Sequence, residues 1–169
     1  IEKKTDYPKL LITGDWFEEL KIDRSRGEDG IEDILLSLYQ DEKPDAVIVT
    51  YGGMAEMASK CAIEIFVEHE VLINVLVLGS VRPIMHSRII EQARNCGRIL
   101  VLEEGNKTGG WGAEVSSIVH ENVFPYMHAP VLRVGASDNT IPSAMHLESQ
   151  VLPSQDMLKK NVHQLIREI

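Results

Sequence analysis

The sequence predicts an α/β protein, a three-layer α/β/α sandwich around a mostly parallel, mixed sheet. Two observations carry that prediction. Short apolar runs rich in β-branched residues recur along the chain, the first of them closed by Gly52 and Gly53. Between them lie stretches of 10 to 17 residues whose apolar side chains repeat at helical spacing. Strands alternating with helices of that length need right-handed crossovers, which make the strands parallel and cover both faces of the sheet.

The elements follow in order. Residues 1–43 hold an apolar KLLITGDWF, an acidic, turn-rich KIDRSRGEDG, and IEDILLSLYQDEKP. In the last, Ile31, Ile34, Leu35 and Leu38 fall at helical spacing, and Pro44 ends the run. This segment reads as an N-terminal extension or linker with an extra strand and helix, set apart from a domain over 44–169. The run AVIVTYG has the profile of a strand buried on both faces. After it, Met54, Met57, Ala58, Cys61, Ala62 and Ile65 share one helical face, with Glu56, Lys60, Glu64 and Glu68 on the other.

LINVLVLG (72–79) is the second strand of the domain. The loop SVRPI leads to a helix, HSRIIEQARNC, stopped by Gly97. RILVLEE is the third strand and GAEVSSIVHENV the third helix. APVLRVGA (129–136) is the fourth strand, its proline suited to a strand start. A turn-rich SDNTIPSAMHLES precedes the last helix. There Ser154 is placed as N-cap, and Leu158, Val162, Leu165 and Ile169 stack on one face.

Composition narrows the function. The chain has 26 acidic against 17 basic side chains, a net charge of −9. Residues 1–45 account for −6 of it, with 13 Asp or Glu and 7 Lys or Arg. An acidic chain is a poor partner for a phosphate backbone, so no nucleic-acid partner is expected. No apolar run has the roughly 20 residues that span a bilayer, and no secretory signal stands at the start. The two cysteines, Cys61 and Cys96, each sit in a helical pattern and read as buried thiols in a reducing compartment. The six histidines show no ligand spacing, and no metal site is expected.

The stretch RILVLEEGNKTGGWGAEVSSIV places a glycine-rich loop between a strand and a helix, where anions often bind. A Walker loop needs Lys and a hydroxyl after the second glycine, but Trp111 and Gly112 follow Gly110. A dinucleotide fingerprint needs a third glycine where Val115 stands. Glu103 and Glu104 at the mouth and Glu114 in the first helical turn repel a pyrophosphate. The glycines read instead as allowing positive φ and close backbone approach. Glu104 and Glu114 are the expected acceptors for N–H groups of the loop, either within the chain or across a subunit boundary.

The segments VTYGGMAEMASKCA, VLVLGSVRPIMHSRIIEQARNCGRILVLEEGNKTGGWGAEVSSIV and PVLRVGASDNTIPSAMHLESQVLPSQDMLKKNV resemble the C-terminal domain of the transketolase superfamily. The likeness is greatest to the beta subunit of the thiamine-diphosphate-dependent decarboxylating component of 2-oxoacid dehydrogenases. It covers residues 46–169 through the TYGG strand end, the RP after the second strand, the EEG…GGWGAE loop and the P…LE…LP tail. Two departures stand out. The acidic residue expected shortly after RP is missing, since Ile84, Met85 and His86 follow Pro83. Residues 1–43 also do not match the expected short linker.

The resemblance implies a parent enzyme that decarboxylates a 2-oxoacid such as pyruvate or a branched-chain oxoacid, using thiamine diphosphate and Mg. Both would be bound by domains absent here. The only GDx triplet, Gly14-Asp15-Trp16, lacks the following glycine and a properly spaced Asn, and no catalytic, cofactor-binding or metal-binding residue is assigned to this chain. The family's C-terminal domain serves subunit association. The implied partners are a second copy, the other domains or an alpha subunit, and an acyltransferase core. The expected interface residues are Arg82, Glu104, Gly105, Gly109, Gly110, Trp111, Gly112 and Glu114, with Trp111 as the best anchor. The implied location is the cytoplasm, or the mitochondrial matrix in a eukaryote. Alternatives are a transketolase or deoxyxylulose-phosphate synthase-type enzyme, or a free-standing small-anion or nucleotide binder.

Overall fold

The computed structural model describes residues 20–26 and 30–167. KLLITGDWF, the Gly14-Asp15-Trp16 triplet and Ile169 lie outside them. Six strands, β1 (Lys21–Arg26), β2 (Glu32–Ser37), β3 (Ala46–Tyr51), β4 (Ile73–Leu78), β5 (Ile99–Asn106) and β6 (Leu132–Ala136), form one sheet in the order β1-β2-β4-β3-β5-β6. β3, β4, β5 and β6 are parallel to one another, while β1 and β2 are antiparallel to their neighbours. The mixed, mostly parallel sheet is therefore as the sequence predicts.

Helices α1 (Met54–His69), α2 (His86–Cys96), α3 (Trp111–Val123), α4 (Met145–Val151) and α5 (Gln155–Arg167) complete the chain, with a 3-10 turn at Phe124–Tyr126. Side chains alternate across each strand, and the two faces collect separate cores. Ile48, Val75, Val77, Leu100 and Leu102 point to the layer of α1 and α5, where Ala58, Ile65, Leu158, Val162 and Leu165 meet them. Val47, Val49, Leu76, Ile99 and Val101 point to α2 and α3, against Ile89, Ala93, Val115 and Val119. Full burial stabilises each such side chain by about 1.5–3 kcal/mol. Cys61 and Cys96 are free and buried, one in each core. Burial pushes the Cys61 thiol up to about 12, which keeps it protonated and inert.

The helix stops and starts follow the sequence signals. Gly97 closes α2 at φ 72°, and the Ser154 hydroxyl accepts the Met157 N–H at 3.2 Å to start α5. Met54 and Met57, placed on the buried stripe of α1, are only half-buried, while Ala55 and Ser59 lie inside. The Ser59 hydroxyl reaches the Ala55 carbonyl at 2.8 Å, which makes its burial tolerable.

The extension departs from its expected form. The run over 31–38 is the strand β2, not a helix. Ile34 and Leu36, two apart, bury together on the α1–α5 face, and Leu35 packs on the other. The open edge of β4 supplies backbone partners, pairing Ile34 with Val77 and Leu36 with Val75. A strand buried on both faces has apolar residues at every position, and such a run mimics a helical stripe. The hairpin is tied at both ends of its span. Asp33 Oδ1 accepts the Gly79 N–H at 2.9 Å, and Arg88 on α2 pairs with Asp23 at 2.8 Å. Helix α4 was not expected; it buries no residue, so it carries no apolar stripe to read.

Candidate functional site at the carboxyl ends of β3 and β5

β3 leads through α1 to β4 on one side, and β4 leads through α2 to β5 on the other side of β3. The carboxyl ends of β3 and β5 thus flank the topological switch point, where α/β sheets place their ligands. In this protein the crevice holds its own side chains. Tyr51 ends β3, and its ring meets Trp111 edge-on with centroids 4.9 Å apart. Burial, then the Glu103 and Glu104 carboxylates, raise the Tyr51 phenol above its ordinary value, so it stays protonated at neutral pH.

Glu103 is the centre of the loop. It is 1% exposed, and each of its carboxylate oxygens is addressed separately. The Gly112 N–H at the start of α3 donates to Oε2 at 3.0 Å, and Arg133 Nη2 on β6 donates to Oε1 at 2.9 Å. Arg133 also donates to the Lys107 carbonyl, which ties the loop to the sheet. Strand pairing explains why this carboxylate turns inward. The β5–β6 register runs Leu102↔Val134, then Asn106↔Ala136, so residues 103–105 oppose Gly135 alone. An irregularity of this kind re-aims a side chain at the end of a strand. Alternation from Ile99 and Val101 puts Glu103 on the α3 face, beneath the helix dipole that favours an anion.

The glycines are the walls of this arrangement. A Cβ at Gly110 would lie 2.6 Å from Glu103 Oε2, and one at Gly112 would lie 2.6 Å from Oε1. Their close approach is thus made within the chain. Gly105 and Gly109 have open space where a Cβ would stand. The far side of the loop is pinned by the turn after β6. Asn106 Nδ2 donates to the Ser137 carbonyl at 2.6 Å, and Asp138 accepts the Thr108 N–H at 3.0 Å and its hydroxyl at 2.6 Å. Those bonds hold the Asp138 carboxyl below its ordinary range.

The expectation of acceptors within the chain needs correcting. Within it, Glu103 and Asp138, not Glu104 or Glu114, take the loop's N–H groups; Glu104 and Glu114 are exposed. Period two and a basic residue on the neighbouring strand were the available signals for Glu103, and treating the two glutamates as one charged mouth hid them. Of the expected interface residues, Arg82, Trp111 and Glu114 come together, lining an open cavity of about 280 Å³ with Val81, Ile84 and His86. Trp111 is half-buried, and its indole N–H is buried without a partner. A roomier hollow of about 530 Å³ lies at the other end of α3, against Val119, Phe124, Met127 and Val131. No strand carboxyl end opens into it, so the switch-point cleft is the better candidate.

The chemistry of the loop follows. Its N-terminal anion position is taken by a buried side chain, so a phosphate would have to displace an ion pair. Among the described residues, no three His, Cys, Asp or Glu side chains stand together as a metal would need. These donors do not fit a metal–diphosphate group, and no chemical step is assigned to them.

Residues 37–158 match the family described as Transketolase, C-terminal domain. The pyruvate dehydrogenase E1 component subunit beta of Leifsonia xyli is 36% identical over 114 residues, 68% of this chain and 33% of that protein. The 3-methyl-2-oxobutanoate dehydrogenase subunit beta of Mycobacterium tuberculosis is 32% identical over 124 residues, 73% of this chain and 35% of that one. A solved structure described as split gene transketolase, inactive beta4 tetramer, superposes with a TM-score of 0.64 at 26% identity, covering 74% of this chain and 40% of that chain. The chain spans about a third of the length of those two dehydrogenase subunits. With 37–158 matched to the family, well over half of its length, and relatives above 30% identity, the chain belongs to the transketolase C-terminal domain family.

Proposed function

We propose that this chain is the subunit-association domain of a thiamine-diphosphate-dependent 2-oxoacid dehydrogenase of the beta-subunit type. The parent enzyme would decarboxylate a 2-oxoacid such as pyruvate or a branched-chain oxoacid. Thiamine diphosphate and Mg would be held by domains outside this chain. Residues 1–43 would be an extension whose strands β1 and β2 widen the sheet, before a domain over 44–169.

One observation carries the associative role. Two loops separated in sequence bring Arg82, Trp111 and Glu114 to one cleft, where apolar Val81 and Ile84 stand beside a half-buried Trp. A large, half-buried aromatic beside apolar side chains, ringed by charge, has the make-up of an interface anchor. Glu104, Gly105 and Gly109 lie beside it on the exposed rim of the loop, while Gly110 and Gly112 set the loop's shape from within. The proposed partners are a second copy, the alpha subunit or remaining domains, and an acyltransferase core. The proposed compartment is the cytoplasm, or the matrix if the source is eukaryotic. The likeness to a transketolase structure supports a second reading, in which the parent is a transketolase-type enzyme with the same associative use of this domain.

Sedimentation velocity over a range of concentrations tests the role. The chain is expected to self-associate, and Trp111→Ala to weaken association by about tenfold or more while leaving the circular dichroism unchanged. A wild-type chain that stays monomeric, or a variant that associates equally well, would sink the reading. Calorimetric titration with thiamine diphosphate is expected to give no micromolar binding; such binding would overturn the assignment of the cofactor to other domains.

A further inference from the structure

We infer that the amino end of α3 and Arg133 form a carboxylate-binding hole whose resident ligand is the chain's own Glu103, and that small exogenous carboxylates occupy it once that side chain is shortened. The inference stands apart from the associative reading, because it concerns what holds the loop and not what the loop meets.

The hole is built on every side. Gly112 N–H and Arg133 Nη2 each address one carboxylate oxygen, at 3.0 and 2.9 Å. Gly110 and Gly112 leave room for those oxygens, since a Cβ on either would lie 2.6 Å from one of them. Gly135 does the same for the methylene end, where a Cβ would stand 3.0 Å from Glu103 Cγ. The Glu103 side chain is 1% exposed, so the ligand is enclosed. Arg133 Nε is buried beside it with no partner of its own, and Glu103 is the carboxylate the guanidinium meets, its other bond going to the Lys107 carbonyl.

The atoms lost in Glu103→Ala are those of acetate: Cγ, Cδ and the two oxygens. Shortening the side chain leaves Arg133 and the helix start without their anion, and acetate restores both interactions and fills the space against Gly135. Formate recovers the charge but leaves the methylene space empty. Propionate is too long for the pocket that the three glycines enclose. The order of rescue is therefore acetate, then formate, then propionate, with chloride at matched ionic strength giving none.

Thermal unfolding of the full chain reads this out. Glu103→Ala is expected to lower the melting temperature by about 10 °C, the scale of one broken buried pair in a chain of this size. Sodium acetate is expected to restore about half of that loss in a saturable way, while moving the wild type no more than chloride does. Glu103→Gln, which fills the space without the charge, is expected to melt between wild type and Glu103→Ala and to show no acetate effect. Equal responses to acetate and chloride in Glu103→Ala would overturn the inference, as would a rescue of Glu103→Gln. Should Glu103→Ala fail to fold in chloride, its refolding yield in acetate against chloride gives the same reading, and equal yields refute it.

Discussion

At the scale of single residues, the loop shows how one buried charge organises its neighbours. Glu103 selects glycine at 112 because its Oε1 occupies the space of a Cβ, while at 110 the Asn106 carbonyl stands nearer still and shares that role. Gly109 is glycine for another reason, its φ of 67°, with nothing close by. The two causes have different signatures. Gly112→Ala is expected to cost about 2–3 kcal/mol through overpacking. Gly109→Ala is expected to cost about 1–2 kcal/mol through backbone strain. Urea unfolding of the two variants in a Glu103→Ala background distinguishes them further, since removing the carboxylate should narrow the first penalty and leave the second alone. A Gly112→Ala penalty unchanged in the Glu103→Ala background would show that Glu103 does not set the requirement at 112. The sequence displayed the glycines and both glutamates, but nothing in it said which glutamate points inward.

At the scale of elements, α5 closes one face of the sheet through Leu158, Val162 and Leu165, all buried, and fastens to α1 along its polar edge. Lys159 bridges Glu64 at 2.9 Å and Glu68 at 3.2 Å, and His163 stacks edge-on against His69 with centroids 4.7 Å apart. Burial, then the neighbouring His69 and Arg167, lower the His163 pKa below 6.5, with Glu68 acting in the opposite sense. A lowered base binds fewer protons folded than unfolded, so its contribution is complete above pH 6.5 and is lost as pH falls toward the folded value. Glu64, lowered chiefly by Lys159, adds a loss further down, below its ordinary 4.5. Thermal melts from pH 7.5 to 5.5 should therefore fall for the wild type and fall less for His163→Gln. Parallel slopes would remove the helix pair as the cause. The α5 stripe was plain in the sequence because one of its faces is wet; its partner helix was not, since many apolar stripes would have served.

For the whole molecule, the extension is the element most at odds with its sequence pattern. β2 joins the sheet between β1 and β4, and Leu36 within it is completely buried. The sheet is then one cooperative body, and unfolding should be a single transition. Leu36→Ala is expected to cost about 2–5 kcal/mol, and to lower the melting temperature of all probes together. Removing residues 1–43 should lower it further, by baring Val75 and Val77 at the new edge strand β4 and inviting association through it. A truncated chain that melts like the full one, and stays as soluble, would show that the extension is not part of the folding unit.

The strands and helices of 44–169, α4 apart, were legible because local physics decides them. A β-branched run between glycines has one stable form, and a helix with one wet face shows its period. The family resemblance likewise rested on short local motifs, such as the TYGG strand end and the GGWGAE loop. What lay beyond reach were choices settled by neighbours distant in the chain. The run at 32–37 became a strand because β4 offered an open edge, an option no window of sequence displays. Glu103, not Glu104, became the loop's anchor because Arg133, opposite Val101 on the same face, reaches across to it, and the register slips just beyond. Arg82 and Trp111 share a cleft because the strand order folds two loops to the same end of the sheet. Sequence determined the elements, where each residue's preference is set by its near neighbours. Tertiary structure decided pairing, orientation and the site, because those energies arise between groups that only the fold brings together.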